Sequence, residues 1–216
     1  MFKKGRKHRK YQKHQKHRRR EVQYRFLKRT TDLVLSGLLL FFLALPMLVI
    51  ALAVSLSSRG GVIFRQERVG RGGEHFVCLK FRTMYQEAPH DRPSAEMRDG
   101  RYVTPIGRFL RRTSLDELPQ LWNVLRGEMS LVGPRPLIPC ESEVHELRRR
   151  CGVDCLRPGM TGLAQIRGRD LLSPREKARL DARYAKSASL GGDLKIIFQT
   201  LSGGAFSQSV KHFQTK

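Results

Sequence analysis

Asp116 and Glu117 stand side by side within the stretch Thr113–Pro136, and their surroundings set what they can do. Arg108, Arg111 and Arg112 precede them, and Arg135 follows between Pro134 and Pro136. Carboxylates among guanidinium groups suit chemistry on a phosphate. Arginines gather phosphoryl oxygens in forked hydrogen bonds, and a carboxylate supplies an attacking oxygen or holds a divalent cation. A purely structural role competes with this: Ser114 and Glu117 have the spacing of a helix capping box, and Asp116 can cap a helix by itself. The two roles are compatible. If a helix opens at Asp116, Pro119 falls in its first turn, where its missing N–H does little harm. Asp116 then sits at the positive end of the helix, where carboxylates stay ionised and phosphate is welcome. Arg108, Arg111 and Arg112 cannot all share one helix face, so at least one is left for lipid headgroups or solvent.

The chain around this stretch has 216 residues, enough for one domain with a real core. Its 42 Lys and Arg against 19 Asp and Glu give a net charge of +23, which points to anionic partners. Residues 1–29 contain fourteen of those cations and one glutamate, Glu21. Residues 1–24 are almost free of apolar side chains and are expected to be a disordered polybasic tail. That tail is either simply solvated or an anchor to anionic phospholipid. Nucleic acid is not expected as a partner, because only Tyr11 interrupts the basic run as a stacking group. Cys78, Cys140, Cys151 and Cys155 form no disulfide framework or zinc-ligand pattern and read as reduced thiols.

Leu33 to Ser58 contains no charged residue. As a helix it would be about 39 Å long, more than the roughly 30 Å hydrocarbon core. The run is too long for an ordinary signal peptide. Pro46 lies near its middle and can kink the helix. Basic residues flank both ends: Arg25, Lys28 and Arg29 before it, Arg59, Arg65, Arg68 and Arg71 after it. Both flanks favour the cytoplasmic side, so a re-entrant helix over residues 25–58 is expected in preference to a simple span.

Beyond it, residues 59–204 read as a compact cytosolic domain and 205–216 as a short tail. Val62–Phe64 and Phe76–Leu79 read as strands joined by the glycine-rich turn 70–73, and residues 86–103 as an exposed loop or lid. Helices are expected over 105–112, 116–126, 140–151 and 174–202, the last broken at Gly191-Gly192. The fold class is therefore mostly α with a small β element: a re-entrant membrane hairpin, interfacial amphipathic helices and a compact catalytic domain. Trp122 and Phe109 read as core or interface anchors. Asp32 forms a local ion pair with Lys28 or Arg29, or fixes how the hairpin enters the membrane.

Taken in order, these segments resemble the bacterial sugar transferase family, the monotopic polyprenyl-phosphate phosphoglycosyl transferases. The resemblance runs from Lys28-Arg29-x-x-Asp32 through the apolar stretch to Phe64–Gly70 and Lys80-Phe81-Arg82-Thr83-Met84. It continues through Thr104–Arg111, Ser114–Gln120, Asn123, Gly127, Met129–Leu131 and Gly133–Pro136. Arg157-Pro158-Gly159-x-Thr161-Gly162, Gln165 and Gly168-Arg169 complete it, covering about residues 25–204.

The resemblance implies transfer of a sugar 1-phosphate from a UDP-sugar to polyprenyl phosphate at the inner membrane, with release of UMP. Asp116 would be the nucleophile, Glu117 its partner, and both would hold Mg²⁺. Arg111 and Arg135 are the implied phosphate holders. Lys80 and Arg82 face the nucleotide or are surface charges; Arg157 and Arg169 meet an anion or pair within the fold. The chain departs from the family pattern at Leu45, where a serine commonly precedes the hairpin proline, at Arg167 in place of an asparagine, and at Lys186–Ser189, which lacks a tryptophan. Nothing in the sequence fixes an oligomeric state, and a homodimer is compatible with it. Two other classes share some of these features: a metal-dependent phosphohydrolase using the same dyad, and a membrane-anchored polybasic scaffold or nucleic-acid-binding protein.

Overall fold

The computed structural model describes residues 2–88, 101–168 and 171–202, with side chains from Val22 onward. Helix α1 runs from Phe2 to Ser57 with Pro46 inside it. The basic leader, expected to have no fold, continues this helical backbone. Extending an existing helix needs no new nucleus, and Lys, Arg and Gln propagate helix well. Val22–Ser57 is long and apolar enough to cross a membrane, and little of it is buried. Phe41, Phe42, Leu45, Leu48 and Leu56 are among its exposed side chains.

Strands β1 (Ile63–Val69) and β2 (His75–Phe81) form an antiparallel hairpin, longer than the short runs legible in the sequence. Their register pairs Phe64 with Lys80, Gln66 with Cys78 and Arg68 with Phe76, so alternation puts these six side chains on one face. The other face carries Ile63, Arg65, Val77 and Leu79, which line a groove of about 540 Å³ against Leu40 and Met47 of α1 and Trp122.

Helix α2 (Pro105–Thr113) opens with proline in its first turn, and Thr104 Oγ1 accepts the N–H of Gly107 at 2.9 Å. Gly107 is required: a Cβ there would overlap the carbonyl of Thr83. The expected helix over 116–126 is split. A single 3₁₀ turn covers Leu115–Glu117, and α3 runs from Gln120 to Arg126. Ser114 does not build the capping box. Its backbone is left-handed, with φ 56°, and its side chain caps nothing. It ends α2 instead, a position that takes αL geometry rather than the extended geometry of an N-cap.

Strands β3 (Ser130–Val132) and β4 (Gly159–Thr161) pair in parallel. Helices α4 (Ser142–Arg150), α5 (Leu163–Arg167), α6 (Pro174–Ser187) and α7 (Leu190–Leu201) pack around them. The break in the last helical stretch falls at Ala188–Ser189, because Ser189 caps α7; Gly191-Gly192 lies inside its first turn. One core cluster joins Leu121, Val124, Met129, Val132, Ile166 and Ile196, and a second joins Val54 of α1 to Phe81 and Leu110. Leu194, Phe198 and Leu201 form an exposed stripe on α7, and Phe109 and Trp122 are half-exposed. Neither aromatic is therefore part of the core.

Candidate active site

The 3₁₀ turn decides how the two carboxylates are used. Successive side chains on such a turn point roughly 120° apart, so Asp116 and Glu117 face different surroundings. Glu117 meets Lys80 Nζ at 2.8 Å, from the β2 face that also carries Cys78. Asp116 is buried and within Coulombic reach of Arg111, whose Nε donates to Thr83 Oγ1 at 2.8 Å. Burial pulls the Arg111 pKa down, and the charge of Asp116 opposes that shift. Glu117 is thus paired with a cation from β2, and Asp116 lies within reach of one from α2.

A cavity of about 10 Å³, room for about one water, opens beside Glu117, lined in part by Arg68, Lys80, Gln120, Arg135 and Gln165. Arg135 is presented by a turn whose backbone is held at every carbonyl. Gly159 N–H donates to Pro134 at 2.8 Å, Arg148 Nη1 to Arg135 at 2.8 Å and Arg68 Nη1 to Pro136 at 3.0 Å. Gly159 is required here, since a Cβ would strike the backbone of Gly133. Arg148 is itself locked by Asp181, to which Nε and Nη2 donate at 2.9 and 2.7 Å. Such a clamp fixes the backbone from which the Arg135 cation projects, a contribution to electrostatic preorganisation.

Several sequence-derived candidates sit elsewhere. Arg82 does not line the cavity. Its guanidinium donates to the carbonyls of Arg59 at 2.9 Å, Ser58 at 2.7 Å and Val54 at 3.3 Å, capping the C-terminal end of α1. Arg157 Nε donates to the Gly127 carbonyl at 2.7 Å, and Arg29 donates to Val124 and Leu125 at 2.7 and 3.0 Å. Together they satisfy the C-terminal end of α3. Lys28 pairs with Asp193 of α7 at 2.8 Å. Asp32 is buried and accepts the N–H of Leu131 at 3.1 Å, a contact across 99 residues. That contact is neither of the roles expected for Asp32: it fixes the helix on the domain. Arg169 lies outside the described residues.

Among the described residues no group of three or more His, Cys, Asp or Glu could hold a metal ion. The carboxylates at hand are Asp116 and Glu117, a set that suits an oxygen-seeking cation shared with substrate phosphates. Arg68, Gln120, Gln165, Arg148 and Asp181 are not among the candidate site residues that the sequence suggests. Strand alternation could have found Arg68, since it shares a face with Lys80 once the hairpin register is known.

A buried aspartate and a partly buried glutamate sit on a domain docked against a long exposed apolar helix of the kind that associates with a membrane. The chain belongs to the bacterial sugar transferase family, whose model matches residues 23–206. It is 45% identical over 195 residues to a UDP-galactose-lipid carrier transferase of Erwinia amylovora, covering 82% of this chain and 40% of the relative. It is 43% identical over 182 residues to a UDP-glucose:undecaprenyl-phosphate glucose-1-phosphate transferase of Caulobacter vibrioides, covering 81% and 68%. A third relative, the exopolysaccharide production protein ExoY of Sinorhizobium fredii, is 37% identical over 196 residues, covering 84% and 86%. The chain spans about two fifths of the length of some of these relatives and most of others.

Proposed function

We propose that this chain transfers a sugar 1-phosphate from a UDP-sugar to undecaprenyl or a related polyprenyl phosphate, releasing UMP and starting assembly of an exopolysaccharide or similar glycan. The observation that carries this reading is the dyad itself, Glu117 paired with Lys80 and buried Asp116 within Coulombic reach of Arg111, in a family whose curated members bear the names given above. An Asp116 carboxylate oxygen attacks the β-phosphorus, and the bond from that phosphorus to the bridging oxygen breaks. The bridging oxygen leaves with UMP, and the sugar phosphate stays on Asp116 as an acyl phosphate. An oxygen of the polyprenyl phosphate then attacks the same phosphorus, the bond to Asp116 breaks, and the carboxylate is restored. Arg111 and Arg135 steady phosphoryl oxygens as charge shifts onto them. Asp116 and Glu117 would hold Mg²⁺ together with the substrate phosphates, and the bound ion would neutralise the diphosphate.

The same reading places the apolar helix in the inner membrane, entering and leaving by the cytoplasmic face, with the basic leader against anionic phospholipid. In support, Arg29 and Asp32 near one end of the apolar run and Arg82 at the other tie it to one domain. Mass spectrometry after incubation with UDP-sugars and Mg²⁺, without lipid acceptor, tests the chemistry. A sugar-phosphate adduct on Asp116, absent in Asp116→Asn and discharged by polyprenyl phosphate, is expected. Free sugar phosphate formed with water alone, and no adduct, would overturn the transfer reading in favour of hydrolysis.

A further inference from the structure

Two buried polar atoms at the cavity have no hydrogen-bond partner among the described residues: Nε of Arg68 and Oε1 of Gln165. Both side chains line the cavity with Lys80, Glu117 and Arg135, and they are only 7% and 8% exposed. The large majority of buried polar groups in folded proteins find a partner, so two orphans on one cavity call for a water or a ligand between them.

The other nitrogen atoms of both side chains each have a partner. Arg68 Nη1 donates to Pro136 and Nη2 to the side chain of Gln66. Gln165 Nε2 donates to the Met160 carbonyl at 2.9 Å. A carbonyl can only accept, so the amide cannot turn over without losing that bond, and Oε1 is the atom left for another partner. The two orphans therefore offer one charged donor and one neutral acceptor. An ionised phosphate satisfies the donor but has no proton for Oε1. A hydroxyl supplies that proton. A sugar 1-phosphate carries both groups within one small unit.

We propose that Arg68 and Gln165 bind the sugar-phosphate half of the donor, Arg68 Nε–H donating to a β-phosphate oxygen and Gln165 Oε1 accepting from a hydroxyl of the sugar. This rests on the donor assignment made above. Burial pulls the Arg68 pKa down and the nearby charge of Arg135 adds to that shift, so an anion set between the two guanidiniums relieves both. The cavity, with room for about one water as it stands, would have to widen to admit the ligand. Gln165 becomes a specificity-determining residue, because a site built to bond a hydroxyl rejects the analogue that lacks it.

The test is a cycle between protein and substrate, using the full chain in membranes. Rates of UMP release are measured for a UDP-sugar that the wild type accepts and for its single-deoxy analogues, in wild type and in Gln165→Met. One deoxygenation is expected to lower wild-type kcat/KM at least tenfold and to cost Gln165→Met nothing further. Equal losses in both proteins for every analogue, or no penalised analogue in the wild type, overturn the proposal. Should Gln165→Met melt below the assay temperature, Arg68→Lys decides. Its KM for the UDP-sugar is expected to rise about tenfold with KM for polyprenyl phosphate unchanged, and an unchanged donor KM overturns the proposal. Wild-type protein that releases no UMP from any UDP-sugar would instead sink the reading beneath it.

Discussion

Arg148 donates to the backbone carbonyl of Arg135 at 2.8 Å while its other nitrogens hold Asp181 at 2.9 and 2.7 Å. A buried ion pair on α4 and α6 thereby sets the stance of a cation at the candidate active site. Arg148→Met leaves Asp181, 1% exposed, as an unpaired buried carboxylate. Breaking such a pair costs about 3–5 kcal/mol. Burial already pushes the Asp181 pKa up against the pull of Arg148, and removing the arginine pushes it further. The folded pKa then lies above the unfolded value of about 3.9, so stability is greatest below that value and falls as pH rises through the folded pKa. Urea unfolding of Arg148→Met is expected to show a large deficit at neutral pH that shrinks towards about pH 4. A deficit independent of pH would mean that Asp181 is not the group left unpaired.

Lys80 and Arg82 are two residues apart in one motif, yet they act on different parts of the molecule. Lys80→Met removes the partner of Glu117 and is expected to lower kcat/KM for the donor by about 10²-fold, the usual loss for one fixed electrostatic group. Arg82→Met uncaps α1 and is expected to cost about 1–3 kcal/mol in unfolding, leaving the donor KM unchanged. Steady-state kinetics and thermal melting on the two variants separate the roles. A donor-KM effect in Arg82→Met with unaltered melting would contradict the capping role.

Asp32 accepts a buried N–H from Leu131 and has no aqueous substitute there. Asp32→Ala strands that donor and is expected to destabilise by about 1–3 kcal/mol, and Asp32→Asn, which keeps an acceptor oxygen, by less. Sedimentation with membranes is expected to be unchanged in both, because the apolar run is intact. Loss of membrane association in Asp32→Asn would show instead that Asp32 governs insertion.

The apolar run, the hairpin, α2 and the dyad are legible in the sequence because each rests on local pattern: hydropathy, alternation, a Thr-Pro helix start and adjacent acids. What escaped rests on contacts between distant residues. Arg68 meets Pro136, and Arg148 meets Asp181, across 68 and 33 residues, and no spacing rule encodes those partners. Ser114 failed for another reason. S-x-x-E reads as the start of a helix, but the same serine follows α2, and ending α2 won. At the C-terminal end two glycines looked like the break, yet Ser189 supplied a cap three residues before Gly192 and the helix ran through both.

Both ends of the apolar run touch the same domain, which bears directly on its path through the bilayer. Arg29 and Asp32 bond to the segment around α3 and β3, and the carbonyls of Val54, Ser58 and Arg59 bond to Arg82. A straight helix from 32 to 58 is about 39 Å long, longer than the hydrocarbon core. A simple span would require the domain itself to cross the bilayer with its charged surface. Thr30 and Arg59 are exposed near the two ends. Single cysteines at Thr30→Cys or Arg59→Cys, with Cys140, Cys151 and Cys155 changed to serine because they are exposed, report each end separately. An impermeant maleimide is expected to label both in inside-out vesicles and neither in intact cells. Labelling of Thr30→Cys and Arg59→Cys from opposite sides would establish a span and place the dyad outside, away from its nucleotide donor.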